Sequence, residues 1–121
     1  AFGSSTGFRL PDGSLLVPGA SWVRGVRWEA LSSREQDGFA PLCPDAVFEI
    51  LSATDALSNL RKKMRSYLAN GARLAVLIDP QHRTVEIYAP GREPQILDSP
   101  QSVSFDPVLP GFTLNLERIF S

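Results

Sequence analysis

The spacing of apolar and polar positions changes several times along the chain, and each change predicts an element. Asp45-Ala46-Val47-Phe48-Glu49-Ile50-Leu51 is apolar on both faces apart from its acids, the pattern of a strand in the middle of a covered sheet. Ser52-Ala53-Thr54-Asp55 supplies N-cap candidates, Asp55 among them, and a helix is predicted over 56–70 with Gly71 as its left-handed stop. Leu57, Leu60, Met64, Tyr67 and Leu68 form one apolar stripe on that helix. Leu74-Ala75-Val76-Leu77-Ile78 reads as a second buried strand, 79–83 as a turn, and Thr84-Val85-Glu86-Ile87-Tyr88 as a third strand with cleaner alternation. Strand, helix, strand, hairpin is an α/β pattern, and its first unit predicts a right-handed parallel crossover.

The flanks are richer in turns. Phe8-Arg9-Leu10 and Leu15-Leu16-Val17 border Pro11-Asp12-Gly13-Ser14, which predicts a β-hairpin. Ser21-Trp22-Val23 reads as a further strand and 26–31 as a short helix or turn. Ser32-Ser33-Arg34-Glu35 has capping-box spacing, with Gly38 ending the short helix. Weak strands are expected at 95–97 and 113–116.

With 121 residues and no repeat or linker, the expectation is one domain over 1–121. The net charge of -1 excludes a global basic field, so any nucleic-acid contact has to be local. No apolar run is long enough to span a bilayer. The single cysteine, Cys43, excludes an internal disulfide framework and a cysteine-built zinc site. Nothing reads as a secretory signal, so a cytoplasmic location is expected.

Glu49 is the informative exception to the pattern. A carboxylate in a doubly covered strand needs a cation, strong donors or a raised pKa. Two readings stand. Glu49 either lies at the wet end of the strand paired with an arginine, or is a metal ligand at the carboxyl end of a sheet strand. On the following helix Lys63 lies one turn before Tyr67, close to the apolar stripe, and can carry its ammonium toward the sheet; the plainer alternative is a flanking lysine that only snorkels. Lys62 points toward solvent.

At this point a family resemblance emerges. Ser4-Ser5-Thr6-Gly7-Phe8, Leu10-Pro11-Asp12-Gly13-Ser14, Ala20-Ser21-Trp22-Val23, Arg27-Trp28-Glu29-Ala30-Leu31, Cys43-Pro44-Asp45, Phe48-Glu49-Ile50-Leu51-Ser52, Lys63-Met64 with Tyr67, Asn70-Gly71-Ala72-Arg73, Ile78-Asp79-Pro80, Val85-Glu86-Ile87-Tyr88 and Leu109-Pro110-Gly111-Phe112 follow one another in order. The chain resembles the Uma-type putative restriction endonuclease family of bacteria, within the PD-(D/E)XK nuclease superfamily. The resemblance covers essentially the whole chain and corresponds to the carboxyl-terminal two-thirds of the family domain, whose amino-terminal helix and first strands would precede Ala1. It implies a restriction-endonuclease-like mixed sheet flanked by helices and Mg²⁺-dependent hydrolysis of DNA phosphodiesters, with Mn²⁺ as an alternative ion. In such chemistry, two carboxylates hold the ion and a lysine stabilises developing charge or orients the attacking water.

Carried over by position, Glu49 is the motif glutamate, with catalytic and metal-binding roles, and the main-chain carbonyl of Ile50 is a further metal ligand. Many superfamily members place the lysine two residues after the acid, where this chain has Leu51; in the Uma-type pattern it stands on the next helix, at Lys63. The chain departs from the pattern at the first motif acid, which should follow Pro18. Gly19 stands there and offers no carboxylate. Asp45 is no substitute, since four residues of strand separate it from Glu49 by roughly 13 Å; it is expected to cap a turn. Weak metal binding and little or no cleavage follow as expectations.

Arg61, Lys62 and Arg65 form a basic run that could contact DNA phosphates, with a solvated face as the plainer alternative. His82 is expected as an exposed turn residue, Cys43 as a small packing residue, Trp22 and Trp28 as core or interface anchors, and Asp79 as the start of a turn. The competing readings are a non-catalytic relic that binds nucleic acid weakly and a protein-interaction domain. An exposed sheet edge or apolar face would favour a homodimer.

Overall fold

The protein is described by a computed structural model covering all residues except Ala1, 4–6, Ser14, 17–18, Pro107, Arg118 and Ser121; for Phe2, Gly3, Leu15 and Leu16 only the backbone is described. The Ser4-Ser5-Thr6 block, the turn residue Ser14, and Val17-Pro18 therefore lie outside the described residues.

In chain order the elements are β1 (Phe2–Gly3), β2 (Phe8–Arg9), β3 (Leu15–Leu16), β4 (Ala20–Trp22), α1 (Gly25–Glu29), α2 (Ser33–Asp37), β5 (Ala46–Ile50), α3 (Leu57–Ala69), β6 (Leu74–Asp79), β7 (Thr84–Tyr88), β8 (Gln95–Asp98), β9 (Ser102–Ser104) and β10 (Thr113–Asn115). Six of the strands form one mixed sheet in the order β1-β4-β5-β6-β7-β8. Among the described residues of this sheet, β5–β6 is the parallel pair and the other neighbours are antiparallel; α3 connects β5 and β6. This is the α/β architecture read from the alternating elements. The expected β2–β3 hairpin forms, with Phe8 opposite Leu16 and Arg9 opposite Leu15.

Local chemistry accounts for the element boundaries. The Ser32 hydroxyl accepts the Glu35 amide while the Glu35 carboxylate accepts the Ser32 amide, so the capping box closes on the short α2. Gly71 ends α3 at a φ of 111°, and the amides of Gly71 and Ala72 reach back to the carbonyls of Leu68 and Tyr67. The N-terminus of α3 corrects an expectation. Ala56 is its cap residue and has no side-chain bond, whereas Asp55 accepts the amide and hydroxyl of Ser52 and closes the preceding turn instead.

Strand alternation sorts the sheet into two faces. On one face Val47, Ala75, Leu77 and Tyr88 pack with Met64 and Tyr67 of α3 and with Phe8 and Leu10 of the hairpin. On the other, Phe48, Val76, Ile78 and Val85 pack beneath Phe105, Leu109 and Leu116. That second cover is not a helix but the carboxyl-terminal segment around the paired β9 and β10, with Phe105 edge-to-face on Phe48 at 5.5 Å. Phe105 and the short β9 lie in a turn-rich stretch where periodicity gives no warning of them. Among the described residues no helix is long and apolar enough to cross a membrane.

Candidate active site

The α3 side of the sheet carries buried acids as well as the core. Asp45, Glu49, Asp79 and Glu86 are all at most 8% exposed, and each faces a basic side chain. Such pairing is what makes burial of a carboxylate tolerable.

Glu49 stands next to the last residue of β5. The Lys63 ammonium lies 3.0 Å from its Oε1, and the Gly19 amide donates to the same oxygen at 3.1 Å. Lys63 is therefore not a lysine that merely snorkels into water; α3 turns it inward, as its place beside the apolar stripe allows. Gly19 is here because Ala20 pairs with Phe48, so the preceding residue falls opposite Glu49. A β-carbon on residue 19 would lie 3.7 Å from Glu49 Oε2 and 3.0 Å from the Phe48 carbonyl. The Phe48 carbonyl is main chain in a paired strand, so a side chain at 19 fits only if that carbonyl gives by a few tenths of an ångström. The residue opposite Glu49 thus brings a main-chain donor and no carboxylate.

The other expected site residues separate. Ile50 follows Glu49 along β5 with its side chain 53% exposed. Lys62 and Arg65 are exposed on α3. Arg61, expected beside them on the phosphate-facing run, instead turns to the sheet and grips Glu86, Nη2 to Oε2 at 2.7 Å with Nε to Oε1 at 3.1 Å. Asp45 also differs from the turn cap expected of it. Its Oδ1 pairs with Arg27 at 2.7 Å and its Oδ2 accepts the Arg24 amide, so it anchors the start of α1 to the sheet. Asp79 opens its turn as expected, accepting the amides of Gln81 and His82, and also holds the otherwise exposed His82 ring by Nδ1 at 2.8 Å. Cys43 is buried, and that burial pushes its thiol up to about 11, which suits packing rather than nucleophilic attack.

Two features escape sequence reasoning. Glu86 accepts the Tyr88 hydroxyl at 2.7 Å in addition to Arg61. Burial acts to raise the Glu86 pKa, but the hydrogen bonds from Arg61 and Tyr88 and the Arg61 charge outweigh it and hold the carboxyl below its ordinary value. Tyr88 is pushed up to about 12, first by burial and then by its bond to Glu86. The available signal was that Glu86 and Tyr88, two apart, share a face with the apolar stripe of α3. The second feature is Tyr67, expected on the apolar stripe and matched by the family pattern without a role, whose buried hydroxyl lies in the field of Glu49.

The residues present do not fit a divalent ion of the kind the nuclease chemistry requires. Among the described residues no group of three or more His, Cys, Asp or Glu side chains could hold a metal. Glu49 is a single carboxylate, and an ammonium already occupies its Oε1. Beside Gly19 and Glu49 opens a cavity of about 410 Å³ walled mainly by Phe48, Ile50, Ile78, Phe112 and Leu114. Apart from Glu49, the residues that line it bring no acidic side chain.

The fold and this geometry can be set beside known proteins. No curated protein matches the chain. A crystal structure of a putative nuclease of the DUF820 group from Anabaena variabilis superposes with a TM-score of 0.80 at 23% identity, covering 98% of this chain. The chain spans 66% of that protein's length. The Uma2 family, described as putative restriction endonuclease, matches residues 1–117. The chain belongs to the Uma2 putative restriction endonuclease family.

Proposed function

We propose that this chain is a DNA endonuclease-type domain whose Mg²⁺-dependent hydrolysis is disabled, or reduced to a trace, at position 19. Family membership and the nuclease-like fold support the class. One observation carries the rest: Glu49 is bonded by Lys63 and by the Gly19 amide, and the residue opposite it brings no second carboxylate. Mg²⁺ binds carboxylates at short range and gives up its waters reluctantly, so one acid already paired with an ammonium is a poor seat for it. What remains is a cationic rim. Lys62 and Arg65 are exposed on the helix that carries Lys63, a placement suited to the phosphate backbone rather than to base edges. The domain would then hold DNA weakly, without sequence readout.

The test compares this protein, Gly19→Asp, and Gly19→Asp combined with Glu49→Ala on plasmid and single-stranded DNA with Mg²⁺ or Mn²⁺. The expected result is no cleavage by the native chain and Glu49-dependent cleavage by Gly19→Asp. Equal Glu49-dependent cleavage by the native chain and Gly19→Asp would contradict the proposal.

A further inference from the structure

One buried polar atom on the Glu49 face of the sheet is left over. The Tyr67 hydroxyl is fully buried and has no hydrogen-bond partner among the described residues. A phenylalanine would fill the same space without the cost of an unbonded hydroxyl. Tyr67 stands one helical turn after Lys63 on the sheet-facing side of α3, in one buried cluster with Met64 and strand residues Val47, Ala75 and Leu77. Long side chains on a helix lean back toward its N-terminus, which here means toward Lys63 and Glu49. The proximity is also electrical. Burial raises the phenol pKa most, and the Glu49 charge is the next contributor.

Glu49 has room for another donor. Both groups that bond it, the Lys63 ammonium and the Gly19 amide, converge on Oε1, and among the described residues none reaches Oε2. Lys63 has somewhere else to go, because its side chain is 24% exposed while that of Glu49 is 11% exposed. If the ammonium swung outward to an anion, the buried carboxylate would keep only one amide, which opposes the movement.

We propose that Tyr67 is a positioning residue for Glu49, its hydroxyl being the reserve donor that takes hold of the carboxylate when a phosphate draws the Lys63 ammonium away. The phosphate as attractor rests on the functional reading above; the exchange of donors depends only on the three side chains. Tyr67 thereby makes Lys63 easier to release and keeps Glu49 in place.

The test is a denaturation cycle on the full chain: native, Tyr67→Phe, Lys63→Met and the double variant. In the native background Tyr67→Phe should leave the urea midpoint unchanged or raise it, since an unbonded hydroxyl is lost. In the Lys63→Met background the same change should lower the midpoint, because the hydroxyl then serves Glu49. An equal effect in both backgrounds would overturn the proposal. Lys63→Leu, which likewise has no donor, replaces Lys63→Met if the latter does not fold, with the same pattern expected. A second arm titrates a short duplex DNA, where Tyr67→Phe should bind several-fold more weakly without a lower melting temperature; unchanged affinity would overturn the proposal. Failure of the native chain to bind DNA would remove the functional reading alone, with the denaturation cycle still deciding the exchange.

Discussion

Glu49 and Gly19 face each other across β4 and β5, with the amide of one 3.1 Å from the carboxylate of the other. The contact is a backbone donor meeting an acid where, in the motif this chain resembles, two acids would stand. Lys63 supplies the neutralising charge from α3 at 3.0 Å. The pair sits at the end of a strand rather than in mid-core, so it is partly shielded from water and not sealed from it.

Breaking that pair from either side should have unequal consequences. Lys63→Met removes the neutralising charge from a largely buried carboxylate and leaves it the Gly19 amide and, by the exchange proposed above, the Tyr67 hydroxyl, so it should cost roughly 1–3 kcal/mol. Glu49→Gln keeps the acceptor for the Gly19 amide, carries no charge and should cost less. Urea denaturation of the two variants checks the order.

Arg61 and its neighbours should separate stability from DNA contact. Arg61→Ala strands Glu86, which is 3% exposed, with only the Tyr88 hydroxyl, and should destabilise by roughly 2–4 kcal/mol. Lys62→Ala with Arg65→Ala should leave the melting temperature nearly unchanged. That double variant should weaken DNA binding and flatten its salt dependence by up to about two charges. Melting curves and binding titrations at several salt concentrations read the two effects.

Stability should hold a plateau with two distinct shoulders in pH. Asp79 and Glu86 have folded pKa values below their ordinary 3.8 and 4.5, so their contribution is complete above those values and is lost as pH falls through the folded ones. For Asp79, burial acts upward and is outweighed by hydrogen bonds from the His82 side chain and amide. Cys43 and Tyr88 are shifted the other way, from 9.0 to about 11 and from 10.0 to about 12. Their contribution is complete below the ordinary values and is lost as pH rises through the folded ones. Melting temperature measured against pH should fall at both ends, and Tyr88→Phe should remove part of the alkaline loss.

Much of this was legible in the residues. The β5, α3, β6 and β7 assignments follow from doubly apolar strands and a single helical stripe, and the capping box and Gly71 fix two helix ends. Lys63 was legible as a cation aimed at Glu49 because both the helical wheel and the family pattern point to it. The pairings of Arg61 with Glu86 and of Asp45 with Arg27 were not, because each joins residues far apart in sequence whose meeting depends on how separate elements pack. Asp55 looked like a helix cap because its residue type suits one, but Ser52 supplies two donors within the preceding turn and captures it. The cover over Phe48 came from a turn-rich stretch whose anchoring aromatics carry no period.

The most direct measurement is calorimetric titration of Mn²⁺ and Mg²⁺ into this protein, Gly19→Asp, and Gly19→Asp with Glu49→Ala. Completing the carboxylate pair should give Gly19→Asp a single site at least about tenfold tighter than any in the native chain, and Glu49→Ala should abolish it. If the native chain binds as tightly as Gly19→Asp, with the same dependence on Glu49, position 19 does not silence the centre and the account is contradicted.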